Sequence, residues 1–240
     1  MQETTDNKNG RILDLRNATV RYRDLVHDDS QVEITLSVQP GELIFIDLVE
    51  AAERIPLGDL LCGMTEPKGG NVCFMGEDWQ DMSENRSSHM RSRIGRVVDG
   101  QAWVHNLTLR ENVMLSKLHH TREPVKDIVD DMNRLAEIAG LATVPPLRTD
   151  MVNPLKQQQC QWVRAFIGMP DLVILERPER NVPDHMLPRI TNIVDNALGN
   201  GAAIVWATSD VRTVNSRRRN ASRRYWVFES QLTEATENDV

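Results

Sequence analysis

Apolar residues along this chain follow two different spacings, and each spacing predicts a different kind of element. In the N-terminal part, short apolar runs alternate with polar residues and are bounded by turn formers such as Pro40-Gly41 and Gly69-Gly70. Runs of this kind are typical of strands. The sequence therefore predicts strands at residues 12–22, 32–38, 43–49 and 71–75.

Further along the chain, apolar residues recur at three- and four-residue steps, as on one face of a helix. In residues 108–142 they are Val125, Ile128, Val129, Met132, Leu135 and Ile138. Helices are also predicted at 57–64, 155–168 and 183–198, buried strands at 172–175 and 202–208, and a final hairpin from 225–228. Strands that alternate with helices predict an α/β fold with a parallel sheet covered on both faces. The block at 108–142 is then a helical insertion.

The composition is typical of a globular protein, with 40% hydrophobic and 26% charged residues among 240. A net charge of -7 argues against general binding to nucleic acid. Neither an apolar run of about 18 residues nor a signal-peptide core is present, so a cytoplasmic location is predicted. The cysteines lack metal-ligand spacing and are expected to be buried thiols. We expect one domain at 11–233 between disordered tails at 1–10 and 234–240.

The segment Leu172-Val173-Ile174-Leu175-Glu176-Arg177-Pro178 carries the clearest chemical signal. Its apolar run followed by an acid indicates a buried strand that presents the Glu176 carboxylate to a ligand crevice. Arg177 follows Glu176, and because it is a permanent cation it cannot act as a general base.

Several short motifs occur in an order that resembles the nucleotide-binding domain of ATP-binding cassette (ABC) transporters. They are Pro40-Gly41-Glu42-Leu43, Leu60-Leu61-Cys62-Gly63-Met64, Gly69-Gly70-Asn71-Val72, Met75-Gly76-Glu77-Asp78, Leu107-Thr108-Leu109-Arg110-Glu111-Asn112-Val113, Gln158 with Arg164 and Ala165, and Pro170-Asp171-Leu172. The resemblance spans about residues 11–233. It implies a P-loop NTPase-like parallel sheet core, an N-terminal antiparallel β subdomain and an inserted helical subdomain at about 100–165.

The phosphate loop of that family needs glycines, a lysine and a hydroxyl, so that backbone N–H groups can wrap a triphosphate. The aligned segment of this chain is degenerate at Glu50, Ala51, Ala52, Glu53 and Ile55. Its carboxylates would lie beside phosphates of like charge. Arg54 occupies the lysine position and remains a candidate phosphate contact. The alternative is a plain strand, turn and helix without any ligand.

Other functional positions of the family are also substituted. Asp99 stands where a glutamine is expected, Arg177 where the catalytic glutamate is expected, and Ser209 where a histidine holds the γ-phosphate. The signature sequence is replaced by Asn153, Pro154, Leu155, Lys156 and Gln157. Pro154 lacks an N–H, and Leu155 places a side chain where phosphate would touch the backbone. No catalytic residue and no metal site is therefore expected.

Among the positions that contact nucleotide or metal in that family, two are retained. Tyr22 aligns with the aromatic residue that stacks on adenine, and Glu176 with a magnesium ligand. Tyr22 is equally well interpreted as a plain strand aromatic.

These observations predict an ATPase-degenerate ABC subunit that needs no cofactor. Its partners would be an integral-membrane permease, docked around residues 99–116, and a second ABC-type subunit, as a homo- or heterodimer. One alternative is a true ATPase that uses Mg-ATP at an unconventional site with Arg54 and Glu176. Another is a free-standing regulator that binds other proteins. As an ABC subunit bound to a permease, the chain would lie on the inner face of the cell membrane.

Residues 81–83, 91–95 and 111–121 resemble the ATPase subunits of Mla/Mce-type phospholipid transport systems. The basic run Arg217, Arg218 and Arg219 could bind anionic lipid headgroups or form an ordinary solvated surface. His119 and His120 are interpreted as an exposed helix end, since no further ligand lies at zinc-like spacing.

Overall fold

The computed structural model describes residues 10–22, 30–48, 55–100, 102–210, 212–213, 221–228 and 230–235. The strands in these ranges are β1 Leu13–Tyr22, β2 Ser30–Val38, β3 Leu43–Asp47, β4 Gly69–Phe74, β5 Glu77–Asp78, β6 Ile94–Val97, β7 Leu172–Glu176, β8 Ala203–Thr208, β9 Arg223–Phe228 and β10 Gln231–Glu234. The α-helices are α1 Leu57–Leu61, α2 Glu84–Arg91, α3 Leu109–His120, α4 Val125–Ala139, α5 Pro154–Phe166 and α6 Leu187–Gly199.

These strands form one sheet in the order β5-β4-β1-β2-β10-β9-β3-β8-β7-β6. Strands β9, β3, β8, β7 and β6 pair in parallel. Strands β2, β1, β4 and β5 pair antiparallel. The predicted fold class, a parallel core with an N-terminal antiparallel part and a helical insertion, is confirmed.

The parallel strands are covered on both faces because their successive apolar side chains point in opposite directions. Phe45 and Leu175 pack into the cluster beneath α3 to α6. Ile44 and Ile174 pack into the other cluster, with α1 and the antiparallel strands. Continuous apolar runs thus build two core layers from a single set of strands.

The helical insertion consists of α3, α4 and α5. Thr108 and Glu111 form a capping box at the start of α3, with reciprocal hydrogen bonds between side chain and backbone. Pro124 precedes α4, which ends at Gly140 with a φ of 87°. The helical periodicity of residues 108–142 therefore falls on two helices. Among the described residues, no helix is long and apolar enough to cross a membrane.

Some element boundaries differ from those predicted. The first helix ends at Leu61, and α6 begins only after a 3-10 turn at Asp184–Met186. Glu234, assigned to the C-terminal tail, instead ends β10 and accepts a hydrogen bond from the Tyr225 hydroxyl at 3.1 Å. Of the cysteines expected to be buried, Cys73 is only half-buried.

Candidate functional site

The carboxyl end of β7 places Glu176 between β6 and the start of α1. Its Oε2 accepts a hydrogen bond from Arg96 Nε at 2.7 Å, and its Oε1 accepts one from the Gly58 N–H at 3.3 Å. Arg96 also donates from Nη1 to Asp59 Oδ1 at 2.6 Å. Both oxygens of Glu176 are thus hydrogen-bonded within the chain. A cation that approached this carboxylate would compete with Arg96.

Arg96 is a half-buried cation held between two carboxylates. Burial lowers the pKa of Arg96, but hydrogen bonds and charge attraction from Glu176 and Asp59 outweigh burial, so the pKa lies above its ordinary value. Gly58 allows this close approach, since an added Cβ would lie 2.5 Å from Arg96 Nη2 and 2.6 Å from Glu176 Cδ. Sequence reasoning missed Arg96 and Asp59, although Arg96 interrupts an apolar run between Ile94 and Val97.

Arg177 and Asp99, both identified from the sequence as substituted positions, contact each other. Arg177 Nη1 donates to Asp99 Oδ2 at 2.7 Å, and Arg180 Nη1 donates to the other oxygen, Oδ1. Arg177 has a φ of 45°, in the left-handed region that non-glycine residues rarely occupy. Its N–H donates to the Ala207 carbonyl at 2.9 Å. The two substitutions therefore form one ion-paired unit.

Helix α5 lies behind this unit and fixes the loop that follows β7. The Pro178 carbonyl accepts hydrogen bonds from Gln158 Nε2 at 3.0 Å and from Trp162 Nε1 at 2.8 Å. Gln161 Oε1 accepts a hydrogen bond from the Val98 N–H at 3.2 Å. One helix face thus holds both the segment after β6 and the segment after β7.

Glu179 is a buried carboxyl that sequence reasoning did not select. Its side chain is hydrogen-bonded to the Thr208 hydroxyl and accepts from Trp206 Nε1 at 3.4 Å. Burial raises the pKa of Glu179 to about 8, and the nearby charge of Asp210 acts in the same direction. Ser209, at the predicted γ-phosphate position, follows Thr208 and is half-buried. The sequence signal that could have identified Glu179 is its position, three residues after the end of the buried strand β7.

The signature-equivalent residues build the start of α5. Asn153 Oδ1 accepts a hydrogen bond from the Lys156 N–H at 2.9 Å, and Pro154 is the first helical residue. Gln157 Nε2 donates to the Thr149 carbonyl at 2.8 Å and to the Val152 carbonyl at 2.7 Å. Leu155 is half-buried and packs against the core. These side chains stabilise a helix N-terminus.

Several predicted site residues do not lie at the carboxyl end of β7. Tyr22 ends β1, which five strands separate from β7, and packs against the antiparallel side of the core. Leu48 and Ile55, at the two ends of the predicted phosphate-loop segment, are buried. The predicted residues Glu50, Ala51, Ala52, Glu53 and Arg54 lie outside the described residues, as do Arg217, Arg218 and Arg219.

No family model matches the chain. The cell division ATP-binding protein FtsE of Escherichia coli K12 is 22% identical over 184 residues, which cover 77% of this chain and 82% of that protein. The phosphate import ATP-binding protein PstB 2 of Natronomonas pharaonis is 27% identical over 210 residues, covering 84% of this chain and 72% of that protein.

Comparison with solved structures shows which proteins share this fold. An ATP-binding subunit of an ABC transporter superposes with a TM-score of 0.80 at 16% identity, covering 95% of this chain and 91% of that one. The dimeric bacterial ABC transporter cassette MJ0796 superposes with a TM-score of 0.78 at 16% identity, covering 93% and 98%. The chain therefore has the fold of an ATP-binding cassette, and its sequence is similar to ATP-binding proteins of cell division and of phosphate import.

Proposed function

We propose that the chain is an ABC-type subunit that assembles with a second such subunit and a membrane permease without hydrolysing ATP. Its role in that complex is structural or regulatory. The carboxyl end of β7 carries the proposal, because Glu176 and Arg177 are both held there by side chains of the chain itself.

The described residues fit a magnesium nucleotide poorly, which supports a function without that cofactor. Magnesium requires oxygen ligands in near-octahedral geometry. The Glu176 carboxylate is already paired with Arg96, a cation that would repel a metal ion. Ile55, at the position of the metal-binding hydroxyl, has a buried hydrocarbon side chain.

The substituted catalytic position supports the same proposal. A general base must accept a proton from the attacking water, and a guanidinium cannot do this at any physiological pH. The Asp99 carboxylate is also engaged, with Arg177 on one oxygen and Arg180 on the other. At this end of β7, each oxygen of the Glu176 and Asp99 carboxylates thus already accepts a hydrogen bond from the chain itself.

The proposed permease contact is the cleft between the parallel core and the helical insertion. A cavity of about 400 Å³ lies there, lined by residues that include Val98, Ala102, Ser116, Ile167 and Pro170. The cleft includes part of the predicted docking region at residues 99–116. Names of the related proteins refer to import or cell division, and MJ0796 is dimeric, which supports a permease and a second subunit as partners. This assembly would place the chain on the inner face of the cell membrane.

Titration with Mg-ATP, followed by assay of phosphate release, tests the proposal directly. We expect no turnover from the purified chain or from the chain in complex with its permease. Turnover that is lost in Glu176→Gln, but kept in the exposed control Glu137→Gln, would establish the alternative of an ATPase with an unconventional site. An ABC subunit of known activity, assayed in parallel, verifies the assay.

Capture of the tagged chain from solubilised membranes separates a transporter subunit from a free-standing regulator. We expect a multispanning permease and a second ABC-type subunit in the captured complex. Recovery of the chain with soluble proteins alone would support the regulator.

The phospholipid class of cargo is a finer proposal. It rests on the resemblance at residues 81–83, 91–95 and 111–121 alone, because the names of the related proteins refer to phosphate import and cell division. Binding to anionic vesicles that is lost when Arg217, Arg218 and Arg219 become Gln would support the proposed headgroup contact. Equal binding to neutral vesicles would contradict it.

A further inference from the structure

The connector between β6 and α3, residues 98–107, leads from the parallel sheet into the helical insertion. Its described residues form no helix or strand, so its position depends on the side chains that contact it. Near its start, Asp99 accepts hydrogen bonds from Arg177 and Arg180. These arginines belong to residues 177–182, the first part of the connection between β7 and α6. Charged side chains thus join two segments that lie 78 residues apart in sequence.

Helix α5 contacts the same two segments. Gln161 binds the Val98 N–H, and the Arg164 guanidinium carbon lies 4.3 Å from the centre of the Trp103 ring. Arg164 also donates a hydrogen bond to the Ala102 carbonyl. On the loop side, Gln158 binds the Pro178 carbonyl. The connector, α5 and the loop therefore form one continuous polar network.

We propose that Asp99, Arg177 and Arg180 form an electrostatic clamp that holds the connector leading into the helical insertion against residues 177–182 in a single arrangement without a ligand. The side chains of Asp99 and Arg177 are 28% and 18% exposed, so salt screens their attraction less than it screens a surface pair. The clamp also helps to hold Arg177 in its unfavourable backbone conformation. This inference goes beyond the proposed function, because it depends on neither nucleotide nor permease.

Hydrogen exchange of the full chain, followed by mass spectrometry, tests the clamp. The variants are Asp99→Asn and Arg177→Gln, with Arg122→Gln in the exposed loop between α3 and α4 as the matched control. We expect exchange in 98–107 and 177–182 to become about fivefold faster or more in the first two variants and to stay unchanged in the control. The double variant should add little to Asp99→Asn, because that substitution alone already removes the pairs with both Arg177 and Arg180.

Two results would overturn the clamp. The first is wild-type exchange in either segment of the Asp99→Asn and Arg177→Gln variants. The second is an equal acceleration in the central strand β8, since this would indicate general destabilisation. ATP turnover in the wild-type chain would refute the proposed function and leave the clamp intact, so the two failures are distinguishable.

Discussion

Arg96 and Glu176 form an ion pair across neighbouring parallel strands, with Nε and Oε2 2.7 Å apart. In the register of the sheet, Arg96 lies opposite Ile174, so Glu176 is two residues further along β7. Both side chains are mostly buried, at 17% and 15% exposure. The chain therefore supplies its own cation to the carboxylate that the resemblance aligns with a metal ligand.

Replacing Arg96 with Met should destabilise the fold. The substitution keeps much of the hydrocarbon volume but leaves Glu176 and Asp59 without their shared partner. Removing one member of a largely buried ion pair costs roughly 2–4 kcal/mol, and a urea unfolding curve would measure this loss. Arg122→Met, at an exposed position, should cost well under about 1 kcal/mol.

The double variant Arg96→Met/Glu176→Gln tests the reason for that loss. Neutralising Glu176 removes the uncompensated charge, so the double variant should regain part of the stability that Arg96→Met loses. Equal stability of the single and double variants would show that the effect comes from packing alone.

Arg177→Glu alone should not produce ATP turnover. The new carboxylate would face Asp99, a group of like charge, and Ile55 would still offer no hydroxyl to a metal. Steady-state phosphate release is the measurement. A contradicting result would be turnover above the wild-type background that disappears when Glu176→Gln is introduced into the same chain. It would mean that the phosphate-loop segment binds ATP despite its substitutions.

Glu179 predicts a particular dependence of stability on pH. Its folded pKa of about 8 lies above its ordinary value of 4.5, so the folded state favours the protonated form. Stability from this group is fully present below pH 4.5 and is lost as the pH rises through 8. Glu179→Gln cannot ionise. Its advantage over the wild type in urea unfolding should therefore grow by roughly 2 kcal/mol between pH 6 and pH 9.

The control for this effect is Glu137→Gln, an exposed carboxyl on α4. Its stability should run parallel to that of the wild type across the same range of pH. Asp210 and Arg212 also influence Glu179, so the measurement should be repeated at two salt concentrations. A constant difference between Glu179→Gln and wild type at all pH values would contradict the raised pKa.

Local patterns in the sequence were sufficient to predict most of the sheet. The runs that became β3, β7 and β8 are apolar and buried on both faces, and such runs identify parallel strands. Helix α2 and strand β6 were missed. Glu84–Arg91 has few apolar residues, and β6 is only four residues long, with the polar Arg96 in its interior. Neither provides a periodic signal.

The contacts of the candidate site could not be predicted in the same way. Glu176 and Arg177 were found because they follow a buried strand, but their partners lie 80 and 78 residues away. No local spacing links residues so far apart. Only the order of strands, with β6 beside β7, brings Arg96 and Asp99 to the same edge of the sheet. Substituted positions that looked independent in sequence are therefore coupled in the fold.

Gly58→Ala tests whether the close approach of α1 to the Arg96–Glu176 pair matters. A Cβ at Gly58 would lie within 2.6 Å of both side chains, so the pair would have to separate or α1 would have to shift. We expect a loss of roughly 1–3 kcal/mol in urea unfolding, as for other overpacked sites. Gly199→Ala is the matched control, because a Cβ there meets nothing within 4 Å near the end of α6. Glycine is a poor helix former, so this control should be neutral or stabilising by up to about 1 kcal/mol. Equal effects of the two substitutions would show that α1 tolerates a side chain beside the ion pair.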